Sequence, residues 1–500
     1  MGLLVKSLPP YTGPYAVSTV DLELPVDSPR SFGDAKLKST GKPALQLDTV
    51  LVTLYYPADA SRPGSGERQP WFERPLGQTA AGYARFAGQR PWLMKVFVYL
   101  FAANVRLPVE ADRPIASTSA AAATAAGPPR TGSQETVVAE DHAPGAANGT
   151  FPVVVFSHGL NGTRTTYSQW AGEIASRGFV VAAIEHRDGS GPISTIRGDD
   201  GKQERVVDYI RPEDLTWPAG KEPLTSLEFR SVQLEMRLAE VKETLRALER
   251  LNEGEGASVA KSNRRRSKKS IGDQGLADWA GRLDLQEQVV MAGHSFGGAT
   301  TFQVLRAGAT SFPFKRGIAL DPWADPIPPA PSLADTLSDS SFSPTDYKPD
   351  PTTSPSASKD SPPSLDIVTP LLVINSETFT LWKEHYKLVR GIVDAVKDKA
   401  PRWLMSMVGS IHTSFSDLPL LAPFIAKRTG ARVDPQLATA EIVEACDEFL
   451  RSTYDGRILG QRVKEGDEVG ARPGEGEKDE TGRKRVMGGV PGEMRMHVRL

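Results

Sequence analysis

The stretch MAGHSFGGAT, residues 291–300, decides how this chain folds, because it holds the pentapeptide Gly293-His294-Ser295-Phe296-Gly297. The apolar run just before it, residues 288–293, predicts a buried strand, and the small residues after the serine open a helix. A tight strand–turn–helix unit with small residues on both sides lifts the serine hydroxyl above the strand ends. It also places the hydroxyl at a helix N-terminus, where the dipole favours developing negative charge. The pattern predicts that Ser295 is a nucleophile.

Apolar, β-branched runs alternate with helical patterns along the chain. The runs lie at residues 50–57, 152–156, 179–185, 288–293, 316–320 and 370–374. Continuous apolar runs bounded by turn residues are typical of strands buried on both faces of a parallel sheet. The clearest helical pattern covers residues 224–251, with Leu227, Leu234, Leu238, Val241, Leu245 and Leu248 on one stripe. Together these patterns predict an α/β-hydrolase fold, with a mostly parallel central sheet flanked by helices and an early antiparallel edge hairpin from residues 18–26 and 50–57.

The composition limits the class of protein and its organisation. The net charge of −2 gives no general attraction to nucleic acid, and the single cysteine excludes an intramolecular disulfide framework. We predict one domain over residues 10–455, with flexible inserts at about 112–148, 253–275 and 326–364 and a disordered charged tail over 456–500, because these segments are polar and rich in Pro, Gly or charge. The basic run NRRRSKKS in the second insert is interpreted as solvated, in preference to a nuclear-import patch.

A nucleophilic serine needs a histidine base, which follows it in the chain in this fold. Three histidines come after Ser295, namely His385, His412 and His497. His412 lies in SMVGSIHTSFSD, in a serine-rich loop directly after an apolar run, where a catalytic histidine is expected to emerge. The pattern around His385 indicates an exposed helix position, and His497 lies in the predicted tail. His412 is therefore the predicted base.

The acid and the oxyanion donors are predicted from the ends of other strands. Asp321 follows the run RGIAL and Glu377 follows PLLVINS, and the residue pattern alone leaves these two candidates open. The loop His158-Gly159-Leu160 predicts one backbone donor at Leu160, with Phe296 N–H as the second. His158 itself is interpreted as a residue that makes a structural hydrogen bond within the loop.

Several segments together resemble one family, the plasma-type (group VII) platelet-activating factor acetylhydrolases. They include PYTGPYAVSTVDLELP, VVVFSHGLNGTRTTYS, AGHSFGGAT, ALDPW, LLVINSE and GSIHTSFSD, in the family's order over roughly residues 10 to 420. The resemblance implies Ser295 as nucleophile, Asp321 as acid, His412 as base and the amides of Leu160 and Phe296 as oxyanion donors. By the same resemblance, Glu377 is a structural residue beside the site.

The resemblance also implies an activity, namely calcium-independent cleavage of the sn-2 ester of phospholipids that carry short or oxidised acyl chains. This is the reaction of a 1-alkyl-2-acetylglycerophosphocholine esterase, a carboxylic ester hydrolase. It requires no cofactor, and no cluster of ligands in the sequence suggests a metal. The alternative is a general carboxylesterase, similar to dienelactone hydrolases, that uses the same residues on small soluble esters.

Residues 92–105, WLMKVFVYLFAANV, form an apolar run that bears on how the protein binds an amphiphilic substrate. The run is long enough to lie in a membrane interface and too short to cross a bilayer. An ordinary buried helix near the active site explains the same pattern, and the sequence leaves both interpretations open. The N-terminal apolar run is too short for a signal peptide, so we expect a cytoplasmic protein that contacts membranes only peripherally.

Overall fold

The computed structural model describes residues 7–117, 149–265, 272–309, 311–328, 367–396, 399–463 and 487–499. The strands are β1 (Val17–Leu37), β2 (Pro43–Pro57), β3 (Phe151–Ser157), β4 (Val180–Glu185), β5 (Ile193–Arg197), β6 (Gln203–Asp208), β7 (Leu215–Thr216), β8 (Leu283–His294), β9 (Arg316–Leu320), β10 (Leu371–Ser376), β11 (Arg402–Met407) and β12 (Met494–Arg499). The α-helices are α1 (Leu76–Phe86), α2 (Pro91–Phe97), α3 (Ser168–Ala175), α4 (Ser226–Asn252), α5 (Gly256–Ser262), α6 (Gly272–Ala277), α7 (Phe296–Arg306), α8 (Glu377–Leu381), α9 (Lys383–Ala395), α10 (Leu418–Leu421), α11 (Pro423–Arg428) and α12 (Pro435–Leu450).

Ten of these strands form one sheet, in the order β12-β11-β10-β9-β8-β3-β4-β2-β1-β7. The six strands from β11 to β4 run parallel to one another. β12 at one end and β2, β1 and β7 at the other pair antiparallel with their neighbours. The predicted mostly parallel sheet and the early antiparallel hairpin are thus confirmed, although the short β7 lies outside β1.

The central strands are buried on both faces because helices cover each side of the sheet. Along β3, Val153 and Val155 face the cluster that contains the stripe of α4, whereas Val154 and Phe156 face the cluster that contains α3 and α12. Successive side chains of a strand point to opposite faces, so this alternation places the sheet between two helical layers. Leu227, in the first turn of α4, lies outside the buried stripe and is exposed.

The C-terminal part of the predicted tail is an exception to the expected disorder. Residues 494–499 form β12, which extends the sheet beside β11, and Met494, Met496 and Val498 are buried. These three apolar residues alternate with polar ones, which is the period of a half-buried strand. The prediction that residues 456–500 carry no ordered element is therefore wrong here, because the charge of the segment masked a short alternating pattern.

The insert at 253–275 is also partly built into the core. It contains α5 and continues to Arg265, whose guanidinium lies 2.7 Å from Glu23 and 2.6 Å from Glu73. Glu73 also pairs with Arg164, at 2.7 Å. All of these groups are almost fully shielded from solvent, and the neighbouring arginines hold the pKa of Glu73 below its usual value although burial opposes ionisation. The start of the basic run is thus an internal ion-pair partner and not a solvated segment.

The remaining parts of the predicted inserts, at 118–148, 266–271 and 329–364, lie outside the described residues. The organisation into one domain with flexible inserts therefore stays a prediction. Among the residues that the structure describes, no helix has the length and apolar character needed to cross a membrane.

Candidate active site

Ser295 lies on a strained turn between β8 and α7. Its backbone has φ 57° and ψ −118°, a conformation that costs free energy for a residue with a side chain. The backbone is so closely packed on both sides of the serine that only glycine fits there. A Cβ at Gly297 would lie 1.9 Å from the carbonyl oxygen of Ser157. A Cβ at Gly293 would lie 2.2 Å from the carbonyl oxygen of Gly297. The glycines of the pentapeptide are therefore required sterically, and the turn presents the serine above the sheet.

The loop after β11 brings His412 to this serine. His412 Nε2 lies 2.9 Å from Ser295 Oγ, and His412 Nδ1 lies 2.7 Å from Asp321 Oδ2. Asp321 follows β9, is fully buried, and also accepts a hydrogen bond from the backbone N–H of Ser376 at 2.6 Å. The ring of Phe379 stacks on the imidazole, with the centroids 4.2 Å apart and the planes 9° apart. The arrangement can transfer a proton from the serine to the histidine while the carboxylate fixes the imidazole.

Glu377, the other candidate for the acid, makes different contacts. Its Oε2 accepts a hydrogen bond from the backbone N–H of Gly409 at 2.8 Å and pairs with Arg432 at 2.6 Å. These bonds hold the loop that precedes His412, and Glu377 does not contact the imidazole. The structure thus brings Asp321, and not Glu377, against His412.

The other two histidines after Ser295 differ from what the sequence indicates. His385 is buried rather than exposed, because Trp382 stacks on its ring and Phe379 meets the ring edge-on, and its Nε2 accepts a hydrogen bond from the backbone N–H of Ala324. His497 is buried in β12 and bonds to the hydroxyl of Ser406. Neither residue contacts the serine.

The two predicted oxyanion donors come from separate segments: Phe296 directly follows Ser295, and Leu160 follows Gly159, which packs against Ser295. Phe296 is the first residue of α7, so its N–H belongs to the unsatisfied donors of a helix N-terminus. Leu160 lies in the loop after β3, and within the described residues neither N–H donates to a protein acceptor. His158 in the same loop bonds through Nδ1 to the carbonyl of Gly159 and accepts the N–H of His186 at Nε2. Burial lowers the pKa of His158, which suits a structural role for the neutral ring.

A buried arginine that the sequence pattern did not indicate supports the loop that contains His158 and Leu160. Arg237 of α4 donates to the carbonyl of His158 at 2.8 Å and pairs with Asp188 at 2.8 Å. Its guanidinium carbon also lies 4.3 Å from the centroid of the Phe296 ring. The arginine therefore contacts both segments that carry the predicted oxyanion donors. The sequence did contain a signal for this role. Arg237 directly precedes Leu238 of the buried stripe of α4, where water cannot solvate its charge.

Asp188 belongs to a wider polar cluster behind the site. Burial raises the pKa of Glu240 to about 8, with the charge of Asp188 adding to the shift. Glu240 bonds to His186, whose other ring nitrogen bonds to the hydroxyl of Ser157 at 2.7 Å. The cluster is fully buried, so it supports the end of β3 and cannot itself meet a substrate.

Residues that could hold a metal coincide with the site in the part of the chain that the structure describes. The ligand atoms of His294, Asp321 and His412 lie within 4.8 Å of one another. The ring nitrogens of both histidines already make hydrogen bonds to protein atoms. The geometry of the group is that of a hydrogen-bonded proton-transfer system.

An exposed apolar patch lies on the hairpin formed by α1, α2 and the π-helical turn Val98–Ala102. We define this patch by Trp92, Leu93, Val96, Tyr99 and Leu100, of which Trp92 is 59% and Leu100 70% exposed. No residue of α2 is buried, although Val98 and Val105 later in the run are, so the interpretation as an ordinary buried helix is wrong for α2. Val98 packs inward against Leu76 and Ala80 and so attaches the π-helical turn to α1.

The hairpin is tied to the His412 loop. Trp71, which precedes α1, donates its indole N–H to Asp417 at 2.8 Å, and Asp417 lies five residues after His412. The same loop leads into α10 and α11, where Leu418, Phe424 and Ile425 are also exposed. Exposed apolar side chains thus lie both on the hairpin, which is joined to the His412 loop through Trp71, and on α10 and α11, which follow that loop in the chain.

The sequence profile of the family described as "Platelet-activating factor acetylhydrolase, isoform II" matches residues 130–332 and 361–467, more than half of the chain. The platelet-activating factor acetylhydrolase of Canis lupus familiaris is 26% identical over 379 residues, which cover 74% of this chain and 63% of the relative. That of Gallus gallus is 27% identical over 309 residues, which cover 59% of this chain and 60% of the relative. The chain thus spans less than two thirds of the length of these relatives.

Among solved structures, a ferulic acid esterase from Streptomyces cinnamoneus matches with a TM-score of 0.51 and 16% sequence identity. The match covers 92% of this chain and 98% of the esterase. At this identity the likeness concerns the fold, and with the sheet order described above it confirms the predicted α/β-hydrolase fold. The family resemblance seen in the sequence segments is confirmed by the profile match. The chain belongs to the platelet-activating factor acetylhydrolase, isoform II, family.

Proposed function

We propose that this chain is a serine hydrolase that cleaves the sn-2 ester of phospholipids with short or oxidised acyl chains and needs no calcium. The observation that carries the proposal is the set of distances that joins Ser295 Oγ, His412 and Asp321. Membership of the family supports phospholipid as the class of substrate.

The acylation step uses these contacts directly. Ser295 Oγ attacks the carbonyl carbon of the sn-2 acyl group, and His412 Nε2 accepts the hydroxyl proton as the new C–O bond forms. Asp321 holds the Nδ1–H side of the ring, so the imidazolium that forms is stabilised. The carbonyl oxygen becomes an oxyanion between the N–H groups of Leu160 and Phe296. When the tetrahedral intermediate collapses, the bond to the sn-2 oxygen of the glycerol breaks, and that oxygen takes the proton from His412.

Deacylation repeats the sequence with water in place of the serine. His412 accepts a proton from water as the water oxygen attacks the acyl carbon, and the same two N–H groups stabilise the second oxyanion. Collapse of this intermediate breaks the bond to Ser295 Oγ, which regains the proton from His412. The products are a lysophospholipid and a short or oxidised fatty acid.

The apolar patch supports a membrane surface as the place where substrate is met. Its side chains combine two aromatic rings with three aliphatic residues, and Lys95 on the same helix is exposed. A short amphipathic segment of this kind inserts into the headgroup region without spanning the bilayer. An exposed apolar surface in a folded protein is costly unless a partner covers it. The Trp71–Asp417 bond connects this surface to the His412 loop, so docking would bring the lipid headgroups close to the site.

The proposal is tested by measuring hydrolysis of two phosphatidylcholines in the presence of EGTA, one with sn-2 acetyl and one with a long sn-2 chain. We expect selective cleavage of the acetyl lipid by the full chain and loss of at least about 10³-fold in kcat on Ser295→Ala. The same assay separates the alternative. If the chain cleaves p-nitrophenyl acetate but neither phospholipid, it is a general carboxylesterase and the proposed lipid substrate is wrong.

A further inference from the structure

A tyrosine hydroxyl lies between the oxyanion loop and the base. Tyr167 is buried, and its Oη lies 2.7 Å from His294 Nδ1 and 3.2 Å from the backbone nitrogen of Gly159. The other ring nitrogen of His294, Nε2, lies 3.0 Å from the carbonyl oxygen of His412. These three contacts form one hydrogen-bonded chain from Gly159 to His412.

The direction of each hydrogen bond follows from the last acceptor in this series of contacts, the carbonyl oxygen of His412. The carbonyl of His412 can only accept, so His294 Nε2 must carry a proton. Burial and the neighbouring His412 hold the pKa of His294 well below its usual value, so the ring is neutral and its Nδ1 is a bare acceptor. The hydroxyl of Tyr167 then donates to Nδ1, and its oxygen accepts the N–H of Gly159. Each donor in these three hydrogen bonds then has one acceptor. No other arrangement satisfies all three contacts while the imidazole of His294 is neutral.

Gly159 and His412, the two ends of this hydrogen-bonded series, belong to separate parts of the sheet. Gly159 follows β3 and His412 follows β11, and three strands, β8, β9 and β10, lie between them. Gly159 is also packed against the nucleophile, because a Cβ at this position would lie 2.8 Å from the Cβ of Ser295. A shift of the Gly159 backbone therefore moves the adjacent N–H of Leu160 relative to both the serine and the base.

We infer that Tyr167, acting through His294, is a positioning residue that fixes the distance between the oxyanion donor of Leu160 and the imidazole of His412. The inference rests on the proposed ester hydrolysis. Tyr167 does not contact Ser295 Oγ or His412 itself, so it acts on the geometry of the groups that do. Because the oxyanion forms only during the reaction, misplacing its donor weakens the transition state more than substrate binding.

The test compares Tyr167→Phe, which removes only the hydroxyl, with the matched variant Tyr56→Phe. Tyr56 is also fully buried, and its hydroxyl donates to the carbonyl of Arg113 at 2.6 Å, away from the site. With p-nitrophenyl acetate, and with enzyme concentration set by fluorophosphonate titration, we expect Tyr167→Phe to lower kcat about 10- to 100-fold with KM changed less than about threefold. Tyr56→Phe should keep the wild-type kcat.

Two further readouts separate positioning from a general loss of structure. A trifluoromethyl ketone binds as a tetrahedral oxyanion on the serine, so Tyr167→Phe should weaken its inhibition by the same factor as kcat/KM. His294→Phe breaks the same chain, so the double variant should be little worse than His294→Phe alone, as expected for one shared pathway.

Three results would overturn the inference. These are an unchanged kcat for Tyr167→Phe, inhibition by the ketone that does not fall with kcat/KM, or additive effects in the double variant. The soluble ester keeps this test independent of the lipid. If the wild-type chain cleaves the ester but not the phospholipid, the proposed substrate fails while the role of Tyr167 is still measured.

Discussion

Replacing Asp321 by asparagine tests the assignment of the acid most sharply, because the structure dictates how the amide would sit. The Oδ1 position accepts the backbone N–H of Ser376 at 2.6 Å, so an oxygen must stay there. The asparagine NH₂ group then faces His412 Nδ1, where Oδ2 now lies at 2.7 Å. An N–H donor at this place forces the imidazole to accept at Nδ1 and to carry its proton at Nε2. In this tautomer His412 cannot take the proton of Ser295.

The expected loss in kcat for Asp321→Asn is about 10³- to 10⁴-fold, equivalent to about 4–5.5 kcal/mol of transition-state stabilisation. The matched control is Glu377→Gln, which can keep its bond to the N–H of Gly409 and loses mainly a partly exposed ion pair with Arg432. That variant should keep kcat within about threefold and lose about 1 kcal/mol of stability. The assay is hydrolysis of a short p-nitrophenyl ester near pH 8, with active enzyme counted by titration. A tenfold or smaller loss for Asp321→Asn, or an equal loss for Glu377→Gln, would refute the assignment.

Three other predictions concern docking, packing and pH. Leu93→Ser combined with Leu100→Ser should weaken sedimentation with phosphatidylcholine vesicles about tenfold or more while sparing hydrolysis of a soluble ester, and Leu227→Ser, which changes an exposed leucine of α4, should do neither. Gly297→Ala should lower the free energy of unfolding by about 3 kcal/mol or more in urea titrations, since its Cβ would meet a carbonyl oxygen at 1.9 Å; an unchanged midpoint contradicts this. Burial raises the pKa of Glu240 to about 8, so its neutral form is favoured on folding and its contribution to stability is lost as pH rises from about 4.5 through 8. The urea midpoint of the wild type should therefore fall relative to that of Glu240→Gln between pH 5 and pH 8, and parallel curves would show that Glu240 does not titrate in this range.

The elements that the sequence predicted well are those whose signal is local. The continuous apolar runs predicted the central strands, and the pentapeptide at 293–297 predicted the turn between β8 and α7. His412 could be selected because a serine-rich loop follows an apolar run there. Asp321 and Glu377 both follow a strand, so only the three-dimensional arrangement of those strand ends separates them.

The features that the sequence did not predict depend on contacts between distant segments. β12 carries only three alternating apolar residues within a charged tail, and it is ordered because β11 offers a free edge. His385 has a helical, polar neighbourhood in the sequence, yet the rings of Phe379 and Trp382 cover it. Arg237 was missed because its partners lie about 50 to 80 residues away along the chain. In each case the deciding partner is remote in sequence.

The position of Arg265 has a consequence for shortened versions of the chain. A designer who trims the protein for crystallisation would naturally remove the polar insert at 253–275 and join its flanks. That deletion would remove the arginine that pairs with both Glu23 and Glu73 and leave each shielded carboxylate with fewer cationic partners. Glu73 would keep Arg164 and Glu23 would keep Arg187, so the expected loss is that of one partner from a buried ion-pair network, up to about 3–5 kcal/mol. A workable boundary for such a deletion therefore begins after residue 265, with α5 and the first arginines of the basic run retained.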